Sequence, residues 1–227
     1  MAVQHSYGKM VTDGLVLYLN AADANSYVSG STTWRDLVGS NNGTLTNGPT
    51  YNSANFGSIV FDGVNDYVAC TNALSLTNVT LNVWFYFTNL SDQICAQSWN
   101  YSLTGGFTVE IYSSNLLFAV NGNGSNNWPQ YNTSNLTPGR WYNITGTLSS
   151  NTQSLYLNGT FITSVTDATR NNANSGITLT VGARSSGGPG SSFSTGRSSI
   201  TQVYNRALSA SEILQNYNAT KARFGLT

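Results

Sequence analysis

The chain has 227 residues, room for one large domain, and its nine basic and nine acidic side chains cancel to zero net charge. Charged residues are 8% of the total, against roughly 25% in an average soluble domain. That excludes a nucleic-acid binder working through phosphate neutralisation and a polybasic membrane anchor. The 40% hydrophobic and 12% aromatic content excludes a disordered chain, and no apolar run approaches the ~20 residues needed to span a bilayer.

Residues 1–12 show no periodicity and read as an N-terminal arm in front of a single domain over 13–227. They lack the apolar core of a signal peptide. The first strand signal is the apolar run at 15–19. Runs at 58–61 and 66–70 flank the turn formers Asp62 and Gly63. From 81 to 87 the alternation is clean: Leu81, Val83, Phe85 and Phe87 point one way, Asn82, Trp84 and Tyr86 the other. A period of two marks a strand in a sheet. Phe107, Val109 and Ile111 repeat it, with Thr108, Glu110 and Tyr112 opposite, and 116–120 follows.

The second half continues the theme. A strand over 141–148 follows Pro138 and Gly139. Then comes the strongest local signal: Leu155-Tyr156-Leu157, Asn158-Gly159, Thr160-Phe161-Ile162. Asn-Gly supplies positive φ at both centres of a type I′ hairpin turn. Strands at 177–183 and 199–204 complete the set, with a glycine-rich loop over 185–194 between them. One helix is expected. Ser209 and Glu212 form a capping box, Ile213, Leu214, Tyr217 and Phe224 form its apolar stripe, and Gly225 stops it. Strands without intervening helices indicate an antiparallel sandwich or barrel.

Chemistry is constrained by what is missing. Glycosidases need two carboxyls across the scissile bond, yet no strand carries two acids on one face; Glu110 reads as an outward, solvated residue and Glu212 belongs to the capping box. The single histidine, His5, lies in the arm, so a nucleophile lacks a base. One His and two scattered Cys do not make a zinc site. Cys70 and Cys95 read as independent thiols rather than a disulfide. Gly122-Asn123-Gly124 lacks the context of a phosphate loop. Aromatic rings in Asn-rich stretches remain: Trp99, Tyr101, Asn127, Trp128 and Tyr131 are candidate glycan contacts, with loop packing the alternative. Trp84 is expected to pack in the core or under the helix. Arg184, Arg197 and Arg206 are expected in structural ion pairs.

The segment Phe61-Asp62-Gly63-Val64-Asn65-Asp66-Tyr67-Val68 resembles the LamG-like domains of the concanavalin A-like lectin/glucanase superfamily. Trp34-Arg35-Asp36 with Asn42-Gly43-Thr44-Leu45, Trp141-Tyr142-Asn143-Ile144-Thr145, Val181-Gly182-Ala183-Arg184 and Val203-Tyr204-Asn205-Arg206-Ala207-Leu208-Ser209 agree in family order. The resemblance implies an all-β fold: a two-sheet antiparallel jelly-roll sandwich with one short C-terminal helix. It also implies a structural calcium held by Asp36, Asn41 and Asp66, although Val38 stands where the family has Ser and the loop is one residue shorter. As alternatives to metal binding, Asp36 and Asp62 would close Asx turns.

A narrower resemblance, carried by Thr12-Asp13-Gly14-Leu15-Val16-Leu17-Tyr18 and Thr46-Asn47-Gly48-Pro49-Thr50-Tyr51, is to such domains in virion proteins of tailed bacteriophages. It implies a non-enzymatic virion structural or decoration protein, assembled in a host cytoplasm, that contacts capsid or tail proteins and can form a homo-oligomer. The alternative is a lectin-like module of a tail fibre that binds cell-surface glycans. A glycoside hydrolase ranks third, for want of an acid pair.

Overall fold

The computed structural model describes residues 9–99, 105–120, 127–174, 176–184 and 192–227. In chain order the strands are β1 (Leu15–Asn20), β2 (Thr33–Trp34), β3 (Gly43–Thr46), β4 (Thr50–Asn52), β5 (Ser58–Asp62) and β6 (Tyr67–Ala73). Then come β7 (Val79–Phe87), β8 (Gln93–Trp99), β9 (Gly106–Tyr112), β10 (Asn115–Val120) and β11 (Gln130–Asn132). The last are β12 (Arg140–Ser149), β13 (Thr152–Leu157), β14 (Thr160–Thr166), β15 (Thr178–Val181) and β16 (Thr195–Tyr204), followed by helix α1 (Ala210–Thr220). They form two antiparallel sheets. The first runs β14-β13-β12-β7-β16-β5-β4, with β1 also on β16; the second runs β11-β10-β9-β8-β15-β6-β3-β2. Strand β16 is long enough to pair with β5 through its first half and β1 through its second.

The core lies between the sheets and follows the alternation of the sequence. Leu81, Val83, Phe85 and Phe87 of β7 meet Phe107, Val109 and Ile111 of β9 and Phe118 of β10. On β12, Gly146 is a close-approach site: the Phe118 ring from the other sheet occupies the space its Cβ would need. The hairpin at 158–159 forms as expected, with φ of 50° at Asn158 and 75° at Gly159. Cys70 and Cys95 are both free and buried. Burial pushes the Cys70 thiol up to about 12 and Cys95 well above its ordinary value, so both are inert hydrophobes.

The outer face of the first sheet is also covered. Trp84 is fully buried, stacked on Phe224 at 3.9 Å and Tyr217 at 5.8 Å between ring centroids. Its Nε1 donates to Thr220 Oγ1 at 3.0 Å. The cover is α1 plus a 3-10 turn at Lys221–Phe224, ended by Gly225 at φ 73°. Beneath it lies an amide ladder. Asn82 Oδ1 accepts from Asn143 Nδ2 and Thr145 Oγ1, and its Nδ2 donates to Gln202 Oε1 at 2.7 Å. Pairing such groups removes most of the cost of burying them.

The capping box is present: Ser209 N donates to Glu212 Oε2 at 2.8 Å and Ser209 Oγ accepts from Glu212 N. Arg206 holds Glu212 in a bidentate pair at 3.0 and 2.6 Å and reaches Asp13 at 2.9 Å. The Arg206 contact holds the Glu212 carboxyl down at about 2. The expected apolar stripe needs correction at one position. Ile213 is buried, but Leu214 is 46% exposed, and Asn216 takes the next inward place, one turn on from Ile213. Asn216 is buried because it ties three elements together. Its Oδ1 accepts from Val11 N at 2.8 Å and its Nδ2 donates to Tyr204 Oη at 2.9 Å, while Tyr204 Oη donates to Val11 O at 3.0 Å. Residues 9–12 of the expected arm therefore lie docked against α1, and residues 1–8, His5 among them, fall outside the described residues.

Two outcomes follow for the helix. Ile213→Ala should cost roughly 2–4 kcal/mol, read as a drop in the urea unfolding midpoint, whereas Leu214→Ala should cost less than about 1 kcal/mol; equal losses would contradict this packing. Glu212→Gln should lower stability at pH 7. Because its folded carboxyl titrates at about 2, below its ordinary 4.5, that deficit should shrink as the pH falls from 4.5 toward 2.

Candidate functional site

The outer face of the second sheet gathers most of the residues expected to carry function. On β9, Phe107, Val109 and Ile111 face the core, so Thr108 and Glu110 face outward. Register sets their neighbours. Glu110 sits between Ile94 of β8 and Leu117 of β10, and Leu117 pairs onward to Gln130. The parallel row is Thr180, Gln97, Thr108 and Ala119. A bulge between Ile94 and Ala96 lets Cys95 and Ala96 both enter the core while Ile94, Gln97 and Trp99 stay on the outer face.

Trp99 and Trp128 meet there, packed with Leu117 and Ala119. Trp99 was expected in a loop; it is the last residue of β8 and is buried. The bulge breaks the alternation that would have revealed that strand. Trp128 is half-buried, under the Arg170 guanidinium at 5.0 Å from the ring centroid. Arg170 is itself buried and donates to Val120 O at 2.9 Å. Asn127 beside it is exposed. Tyr131 instead packs against the main core. Tyr101 lies outside the described residues.

Glu110 is the second correction. Expected to be solvated, it is 8% exposed, because Ile94, Leu117 and their neighbours shut water from this face. Burial pushes its carboxyl up to about 7, the nearby Arg184 pulling it down and Asp92 pushing it further up. Among the described residues its Oε2 has no hydrogen-bond partner, and neither does Trp128 Nε1. An orphaned acceptor and an orphaned donor thus share one sheet face with two indoles. Buried groups of this kind are rare and costly unless something pairs with them.

The expected calcium ligands are engaged otherwise. Asp36 Oδ1 accepts from Tyr18 N and Val38 N, and Oδ2 from Asn41 N at 3.2 Å. Asn41 closes on Asn72 through both amide atoms. Asp66 sits in a different turn, where Oδ2 accepts from Asp62 N. Asp62 accepts from Val64 N at 2.8 Å, the Asx turn expected of it. Among the described residues no three His, Cys, Asp or Glu side chains gather as a metal cluster. A cation at Asp36 and Asn41 would share oxygens that already brace the loop.

The family profile described as the concanavalin A-like lectin/glucanases superfamily matches residues 62–214. No curated protein matches the chain. Among solved structures, the receptor binding domain of botulinum neurotoxin C/D mosaic serotype is similar at 14% identity and TM-score 0.69, over 90% of this chain and 51% of that one. The binding domain of botulinum neurotoxin DC in complex with SialylT gives 17% and 0.66, over 92% and 52%. The binding domain of Paraclostridial Mosquitocidal Protein 1 gives 16% and 0.68, over 91% and 52%. The chain spans about half the length of these domains, and at such identities the likeness concerns the fold. With the profile match covering more than half of its residues, this chain belongs to the concanavalin A-like lectin/glucanases superfamily.

Proposed function

We propose that the protein is a non-enzymatic, lectin-like binding module whose outer second-sheet face, around Trp99, Glu110 and Trp128, holds a glycan. The observation that carries this is the pair of unpartnered buried atoms, Glu110 Oε2 and Trp128 Nε1, on a face walled by indoles. A saccharide hydroxyl both donates and accepts, so it has the chemistry to pair with either atom once side chains on this face move to admit it. Its C–H faces can pack on the Trp128 ring, and a few placed polar groups fix orientation in sites of this kind. The similarity to toxin binding domains, one of them solved with SialylT, supports the reading by fold analogy alone. The resemblance to phage virion domains supplies a setting, a virion surface that meets cell-surface glycans.

A hydrolase is the second reading, because a carboxyl held near 7 is in the state of a general acid. It lacks a matched second carboxylate. Asp92, which pushes Glu110 up, is exposed and its Oδ1 is bonded to Ser113 N at 3.0 Å. Polysaccharide turnover that disappears in Glu110→Gln would replace binding with catalysis.

On a glycan array the protein should bind a restricted set of saccharides. Trp128→Phe, which keeps a ring and deletes the N–H, should weaken that binding roughly tenfold, and Glu110→Gln should weaken it too. Wild-type binding by both variants, or no glycan bound at all, would overturn the proposal. The same carboxyl governs a stability profile. Its folded value, about 7, lies above its ordinary 4.5. Its contribution is therefore full below 4.5 and is lost as the pH rises through 7. Glu110→Gln escapes that loss and should be more stable than wild type at pH 8, by up to about 3 kcal/mol, with the advantage vanishing by pH 4. Urea midpoints at the two pH values check it.

A further inference from the structure

We infer a second ligand site on the opposite side of the sandwich: a cleft at the end of the first sheet that binds a carboxylated sugar. The cleft has a volume of about 330 Å³ and is lined by residues including Tyr86, Arg140, Trp141, Asn158 and Phe224. That is the lower end of ligand-pocket sizes, roughly 300–1,000 Å³, enough for one pyranose ring.

Three facts define its chemistry. First, the wall is aromatic. Tyr86 meets Trp141 edge-on at 5.6 Å, and Trp141 packs on Phe224 at 4.8 Å between centroids. Trp141 is fixed by its Nε1 bond to Asn55 Oδ1 at 3.1 Å, so the wall exists before any ligand arrives. Second, the rim is cationic. Arg197 lies over the Tyr86 ring at 4.2 Å. Strand pairing sets Arg140 opposite Phe87 and Arg197 opposite Tyr86 across β7, so they flank the end of the sheet from its inner and outer sides; Arg140 lines the cleft, and Arg197 borders it over the Tyr86 ring. Neither guanidinium has an ion pair or hydrogen bond among the described residues, whereas Arg206 is paired with Glu212 and Asp13, and Arg170 with Asp167. No residue lining the cleft is acidic.

Third, the cleft offers free donors. Asn158 uses its Oδ1 to accept from Asn143 N, which leaves Nδ2 to donate. Rings for C–H stacking, an amide donor and Arg140 in the lining, with Arg197 at the border over Tyr86 and no acidic residue in the lining to repel an anion, match a sugar ring bearing a carboxylate. Guanidinium recognises carboxylate through paired N–H bonds.

The test follows the Trp141 indole N–H by NMR in the full chain while N-acetylneuraminic acid, glucuronic acid or neutral N-acetylglucosamine is added. At least one of the acids should shift that signal, and the neutral sugar should not. Arg197→Gln and Arg140→Gln should each weaken the acid's binding roughly tenfold, and added salt should weaken it further. Among the described residues the two arginines make no ion pair or hydrogen bond, so both variants should fold. Glu110→Gln, on the other face, should leave this binding unchanged, which separates it from the proposed glycan site. Equal binding of the neutral sugar, equal displacement by inorganic phosphate, unchanged affinity in both arginine variants, or no shift with either acid would overturn the inference.

Discussion

Strand β7 carries large apolar rings on both of its faces, and that constraint organises the molecule. Phe85 and Phe87 fill the space between the sheets. Trp84 points the other way and would leave one of the largest side chains in contact with water. Burying such a ring contributes roughly 1.5–3 kcal/mol, so the chain must supply a lid. It does so after its last strand: the Arg206–Glu212 pair and the capping box start α1 at the right angle, and the 221–224 turn sets Phe224 flat on Trp84. Residues 9–12 close the remaining side through Val11 and Asn216.

The lid also needs an anchor at its far end, and Arg223 provides it. This guanidinium donates to neutral oxygens, Asn55 O at 2.7 Å, Gly57 O at 2.7 Å, Asn20 Oδ1 at 2.8 Å and, closer still, Ser199 Oγ, and lies over the Phe224 ring. Burial pulls its pKa down to about 10, leaving it a cation near neutrality. The same contacts position the 54–57 turn, whose Asn55 in turn holds Trp141. A structural cover thus shapes the aromatic wall beside it.

Much of this was legible in the residues. The two-faced alternation of 81–87, the Asn158-Gly159 hairpin and the Ser209–Glu212 capping box each have a local cause, and each is found where the local cause puts it. Leu214 was misjudged because amphipathic reading favours apolar residues, while the inward place went to Asn216 for a reason 205 positions away, the Val11 backbone. Strand β8 was missed because its bulge sends Cys95 and Ala96 to the same side. Glu110 was misread because alternation tells which face a side chain takes, but not whether that face is wet. Trp99 was misread as a loop residue and ends β8, while Trp128 does lie in the loop before β11; their meeting was not legible, since only the register of β8, β9 and β10 brings them together.

The Asn-rich composition has a physical explanation that bears on where function lies. Turn after turn, a side-chain oxygen accepts the backbone N–H two residues on: Asn20 from Ala22, Asp36 from Val38, Asn52 from Ala54, Asn89 from Ser91, Asn132 from Ser134 and Asn172 from Asn174. Asx turns of this kind satisfy loop amides without recruiting charge, which is how a chain with 8% charged residues builds so many connections. It follows that an Asn beside a Trp is weak evidence of sugar recognition in this chain, because most of these amides are engaged by their own loops. The informative groups are those the fold leaves without a partner. Trp34 Nε1, Ser58 Oγ, Asn143 Oδ1 and Gln153 Nε2 are also without a hydrogen-bond partner among the described residues, but Glu110 Oε2 and Trp128 Nε1 share an outer sheet face with two indoles, and that shared placement is what ties them to a ligand.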